Sequence, residues 1–69
     1  MNETVLEQCR RHVLEGANRI VRQEALIAEL QCAGASETLP GARALLLTFQ
    51  SIQRLSEEHL ARELAKQTA

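Results

Sequence analysis

The chain has 69 residues, eight Lys plus Arg against nine Asp plus Glu and a formal net charge of −1, without the basic excess of a protein that grips nucleic-acid backbones. Hydrophobic residues make up 45 % and aromatic residues only 1 %, so a core must be built from Leu, Ile, Val and Ala. A compact fold of this size buries only about 60 % of the surface its extended chain exposes, and an elongated one buries less.

The opening Met1-Asn2-Glu3-Thr4 has no basic n-region leading into an apolar run, and no apolar stretch approaches the ~18 residues of a membrane span. No signal peptide and no membrane partner are expected, and a cytoplasmic location follows by elimination. Cys9 and Cys32 are too few and too far apart for a disulfide framework.

Thr4-Val5-Leu6-Glu7 has the capping-box spacing, in which a Thr hydroxyl takes an early backbone N–H and the Glu reaches back; Asn2 is a competing cap. Leu6, Cys9, Val13, Ile20, Ile27 and Leu30 follow at alternating three- and four-residue intervals, with Gly16 and Gln23 in the two remaining heptad positions. The pattern predicts a helix over about residues 4–33. Gly34, Pro40 and Gly41 then cluster near the middle of the chain, predicting a turn over about residues 34–38. A second helix is expected over about residues 39–66, capped by Thr38 or Ser36. Its apolar stripe is read as Leu45, Thr48 or Phe49, Ile52, Leu55 and then His59.

With no strand alternation anywhere, the fold class is all-α: residues 1–69 form a single helical-hairpin domain. Two rods of about 42 Å joined by a short turn must fold back antiparallel. In that geometry the numbers of residues at one level add to about 72. Glu7–Arg11, Glu15–Arg19 and Glu58–Arg62 have the favourable i,i+4 order for ion pairs on a solvated surface. Gln23 either fixes register inside the seam or reaches out from its edge, and Gly16 marks either a close approach or a weak spot.

Near the turn, apolar residues go most of the way round both rods, more than one seam hides. The expected remedy is a homodimer, two hairpins forming a four-helix bundle. Ile20, Ile27, Leu30, Leu45, Phe49 and Ile52 are the expected assembly residues, with Leu26 and Leu46 as contacts between hairpins or with a protein partner. The function expected is that of a non-enzymatic interaction or adaptor protein acting through helix–helix association.

Two other readings stand beside it. Cys9, His12, His59 and Glu63 fall near one level at the open end, and their donor set suits zinc, making a metal- or pH-responsive regulator; no other cofactor is expected. Cys, His and carboxylate also make a nominal catalytic set, but two rods offer neither an oxyanion hole nor a pocket, so no catalytic residue is assigned. The last reading is a nucleic-acid-binding hairpin, disfavoured because Arg and Glu alternate and Phe49 is needed for the core.

Arg22-Gln23-Glu24-Ala25-Leu26-Ile27-Ala28-Glu29-Leu30 and Ala42-Arg43-Ala44-Leu45-Leu46-Leu47-Thr48-Phe49 resemble the short helical-hairpin reading frames of proteobacterial genomes, over about residues 12–65. The resemblance implies the hairpin and no particular activity. In architecture the chain is also similar to the Rop-type RNA-binding hairpin dimers, without a matching basic recognition face. The Ser-Gln-Glu-Leu-Asp motif of the sporulation phosphorelay hairpins has no counterpart here.

Overall fold

The computed structural model describes residues 2–68. They form two packed α-helices, α1 (Val5–Cys32) and α2 (Leu39–Thr68), with no strand among the described residues. Thr4 is extended, with φ −72° and ψ 162°, and caps α1. Its hydroxyl accepts the Glu7 N–H at 3.1 Å, and the Glu7 carboxylate accepts the Thr4 N–H at 3.1 Å.

That engagement takes Glu7 away from Arg11, which pairs instead with Glu3 and Glu15, both at 2.9 Å. The other two expected pairs are also absent among the described residues. Arg19 lies over the Phe49 ring, 5.6 Å from its centroid, and Glu58 forms no ion pair with Arg62.

Gly34 ends α1 with φ +70°, a left-handed conformation that costs glycine nothing. The Ala35 N–H then donates to the Leu30 carbonyl (3.0 Å) and the Gly34 N–H to that of Gln31 (3.2 Å), the paired bonds of a Schellman stop. Thr38 and Leu39 donate back to the Ala35 carbonyl at 3.1 and 3.3 Å, and Ala42 donates to that of Thr38 at 3.1 Å. The backbone itself thus starts α2. No backbone N–H donates to the Ser36 or Thr38 hydroxyl to cap it among the described residues, contrary to expectation. Pro40 falls in the first turn, where a missing N–H leaves nothing unsatisfied.

Inward on α1 are Leu6, Cys9, Val13, Gly16, Ile20, Gln23, Ile27 and Leu30, each buried or half-buried, as the spacing predicts. Inward on α2 are Leu39, Ala42, Leu46, Phe49, Gln53, Ser56, Leu60 and Glu63. This corrects the expected α2 stripe, of which only Phe49 faces in. Leu45, Ile52, Leu55 and His59 are exposed because Gln53, Ser56 and Glu63 occupy seam positions.

Two glutamines cross the seam. Gln23 donates from Nε2 to the Ala42 carbonyl at 2.9 Å, and Gln53 from Nε2 to the Val13 carbonyl at 2.8 Å. The Gln53 amide lies against Gly16, where a Cβ would collide with Oε1. Facing residues, such as Gly16 with Gln53 or Arg19 with Phe49, have numbers adding to about 69 rather than 72, a slide of nearly one turn. The stop at Gly34 sets this register by placing Leu30 and Leu39, on either side of the turn, in the first layer.

The hairpin measures 52 × 23 × 13 Å, a single layer of helices. Its radius of gyration is 15.8 Å, against about 11 Å for a compact chain of this length. Its accessible surface is 5235 Å², against about 4,300 Å² for a compact fold of this mass. Among the described residues the only buried hydrophobic side chains are Cys9 and Ala42, and the other two buried side chains are Gln23 and Gln53.

Two glycines test the close approach. Ala normally stabilises a helix interior by up to about 1 kcal/mol over Gly. Gly41→Ala, with nothing within 4 Å of the added Cβ, is expected to raise the melting temperature. Gly16→Ala is expected to lower it despite the same propensity gain, because the Gln53 amide must leave its place. Thermal circular dichroism of the two variants reads the difference in sign.

Candidate interaction surface

The large aliphatic side chains that the seam leaves out lie on both broad faces. On one side of the seam, α1 contributes His12, Arg19 and, seven residues on, Leu26; α2 contributes Leu45, Ile52 and His59. His12, Arg19 and Ile52 line one shallow groove together with Gly16, Gln53 and Ser56, which places them on a common face. Here Leu26, Leu45 and Ile52 are 43, 44 and 45 % exposed, and Leu55, three residues beyond Ile52, is 65 % exposed. Leu45, Thr48, Ile52 and Leu55 make a second stripe on α2 with the same heptad spacing as the seam. The opposite side carries Leu14 and Val21 of α1 and Leu47 of α2, all exposed.

Of the expected assembly residues, Ile20, Ile27, Leu30, Leu46 and Phe49 are half-buried inside the hairpin, while Leu26, Leu45 and Ile52 stand exposed along one flank. Leu46, read as a contact between hairpins, belongs to the inner seam. The sequence reading missed Ala42, Gln53, Ser56 and Leu60 as inward positions. Their three–four alternation with Leu39, Leu46 and Phe49 was the available signal, masked by two polar occupants.

At the open end, Cys9 is 3 % exposed, with its Sγ 3.8 Å from His59 Nδ1. His59 Nε2 lies 3.6 Å from Glu63 Oε1, which also takes the Lys66 ammonium at 3.0 Å. His12 lines the groove instead. Among the described residues no group of three or more His, Cys, Asp or Glu is placed to hold a metal ion. The expected zinc set is therefore not gathered as a group: Lys66 holds the Glu63 carboxylate, and His12 lines the groove beside Gly16 and Gln53. The thiol is sealed into the seam.

Three carboxyls are held below the ordinary 4.5: Glu3 by its hydrogen bond with Arg11, Glu7 by the Thr4 backbone N–H, and Glu63 by the Lys66 ammonium. The Arg11 guanidinium is correspondingly raised by Glu3. No helix among the described residues is long and apolar enough to cross a membrane. Comparison with protein-family models, curated proteins and solved structures finds no match.

Two outcomes follow from this chemistry. In native protein one thiol, the exposed Cys32, is expected to react promptly with a chromogenic disulfide reagent, while buried Cys9 reacts at the same rate only in denaturant. Because Glu3, Glu7 and Glu63 have folded values lower than their unfolded ones, their contribution to stability is complete above the ordinary carboxyl range. It is lost as pH falls through the folded values. Melting temperature is expected to fall on that acid limb, and Glu7→Gln, which keeps a capping-box side chain, is expected to flatten it.

Proposed function

We propose that the protein is a non-enzymatic helix-association module that works in the cytoplasm as a homodimeric four-helix bundle, offering its remaining outer surface to a protein partner. The observation that carries this reading is the single-layer shape. A sheet of two helices 13 Å thick leaves nine large hydrophobic side chains exposed, from Val5 to Leu64. A second layer supplies the burial that the first one lacks.

The dimensions suit such a partner. A face of 52 × 23 Å presents roughly 1,200 Å² as a rectangle, more than the ~800 Å² per partner of a standard interface. The charges favour a protein over a nucleic acid. Arg11 is held between Glu3 and Glu15, Arg19 covers Phe49, and Lys66 is held by Glu63, so these cations already have local work.

Sedimentation equilibrium at low micromolar concentration is expected to give twice the 7.7 kDa chain mass. A single-chain mass across the accessible range overturns the reading. Ile27→Asp, which puts a charge into the inner seam, is expected to remove most of the helical circular dichroism and the dimer together.

A further inference from the structure

We infer that the second copy docks on the uncovered stripe of α2, so that the two α2 helices pack antiparallel about a two-fold axis near residue 50. The inference rests on the dimer reading and names its face and register. Helix α2 carries two stripes of one spacing. Leu46, Phe49, Gln53 and Ser56 face α1, while Leu45, Thr48, Ile52 and Leu55, one position earlier, lie about 100° round the helix. The first stripe is occupied and contains polar residues. The second is more apolar and stands in water.

The open stripe is self-complementary. Its intervals of three, four and three residues read the same in both directions, so two antiparallel copies set Leu45 beside Leu55 of the partner subunit. Thr48 then sits beside the partner's Ile52. Leu26, exposed on the same face as Ile52, widens the patch onto α1.

Charge supplies an independent consistency. The hairpin register, in which facing numbers add to about 69, carries an axis at residue 50 of α2 to residue 19 of α1. About that point Glu15 of one copy faces Arg22 of the partner subunit, and the pair recurs by symmetry. Glu15 and Arg22 are both exposed in the hairpin and lie on the same helical row, seven residues apart; Glu15 holds Arg11 of its own chain through Oε1 at 2.9 Å, and its second oxygen is the one that faces the partner.

The other apolar stripe fits less well. Leu14, Ala17, Val21 and Ala28 of α1 lie on the opposite side and are interrupted by Glu24. Docking that stripe onto the α2 stripe of a neighbour is heterologous and does not close, so it makes open chains rather than dimers.

The test compares two double variants by sedimentation equilibrium and circular dichroism, each altering only side chains exposed in the hairpin. Leu45→Lys with Ile52→Lys is expected to keep the helical signal at high concentration and weaken the dimer by roughly 100-fold or more. Leu14→Lys with Val21→Lys is expected to leave the dimer within a few-fold of wild type. The reverse pattern moves the interface to α1 and overturns the assignment while keeping the dimer. A monomeric wild type overturns both, whatever other protein the stripe then binds.

Register is read separately at low salt. Glu15→Arg and Arg22→Glu chains are each expected to dimerise more weakly than wild type, and an equimolar mixture is expected to form heterodimers preferentially, because mixing restores both ion pairs. Random pairing in the mixture overturns the antiparallel register.

Discussion

The structure depends on two amide groups that cross between helices. Gln23 and Gln53 each donate to a main-chain carbonyl of the facing helix. That carbonyl can accept a second proton beyond its own helical bond because it has two lone pairs. Such a bond contributes only about 1 kcal/mol net. A slide of one seam position, however, leaves a buried amide unpaired at a cost of about 1–3 kcal/mol. The glutamines therefore act on register more than on strength. Gln53 shows the compromise directly, since its Oε1 is buried without a partner and Gly16 is the only residue type that admits it so close.

A seam built this way cannot also be a strong hydrophobic core. Its positions go to Cys9, Gly16, Gln23, Ala42, Gln53, Ser56 and Glu63 as well as to aliphatic residues. Small and polar side chains let the two backbones come close, and the larger ones are displaced to the flanks. The three successive leucines of α2 show the division. Leu46 is half-buried in the seam, Leu45 stands on one broad face, and Leu47 stands on the opposite side at 65 % exposure.

How much of this was legible in the sequence follows from the same division. The seam of α1 was legible in full, because its heptad run, interrupted by Gly16 and Gln23, outweighs the Leu14, Ala17, Val21 and Ala28 stripe, which is built half of Ala and broken by Glu24. The capping box at Thr4 and the stop at Gly34 were legible because each is local chemistry. The α2 seam was not. Of its two stripes the more hydrophobic begins at Leu45, and hydrophobicity alone selects that one. The structure selects the other because Gln53 finds a carbonyl and a glycine on a helix some forty residues away, a partnership no local pattern records. At the open end, equal level brought Cys9, His59 and Glu63 into a chain of contacts, while Lys66 holds the Glu63 carboxylate and His12 lines the groove, partnerships that level alone does not record.

On the proposed dimer, folding and association are coupled in a chain of this design. The inner seam fixes which residues face each other but contributes little apolar burial, whereas Leu26, Leu45, Ile52 and Leu55 contribute theirs only when something covers them. Whatever binds the native hairpin and not the unfolded chain adds its binding free energy to stability by mass action. For a second copy this makes the melting temperature rise with protein concentration. The polar seam then has a use beyond register. A hairpin that gained everything from its own two helices would have no aliphatic surface left to offer, and under the proposed dimer α2 could not serve a second neighbour besides α1.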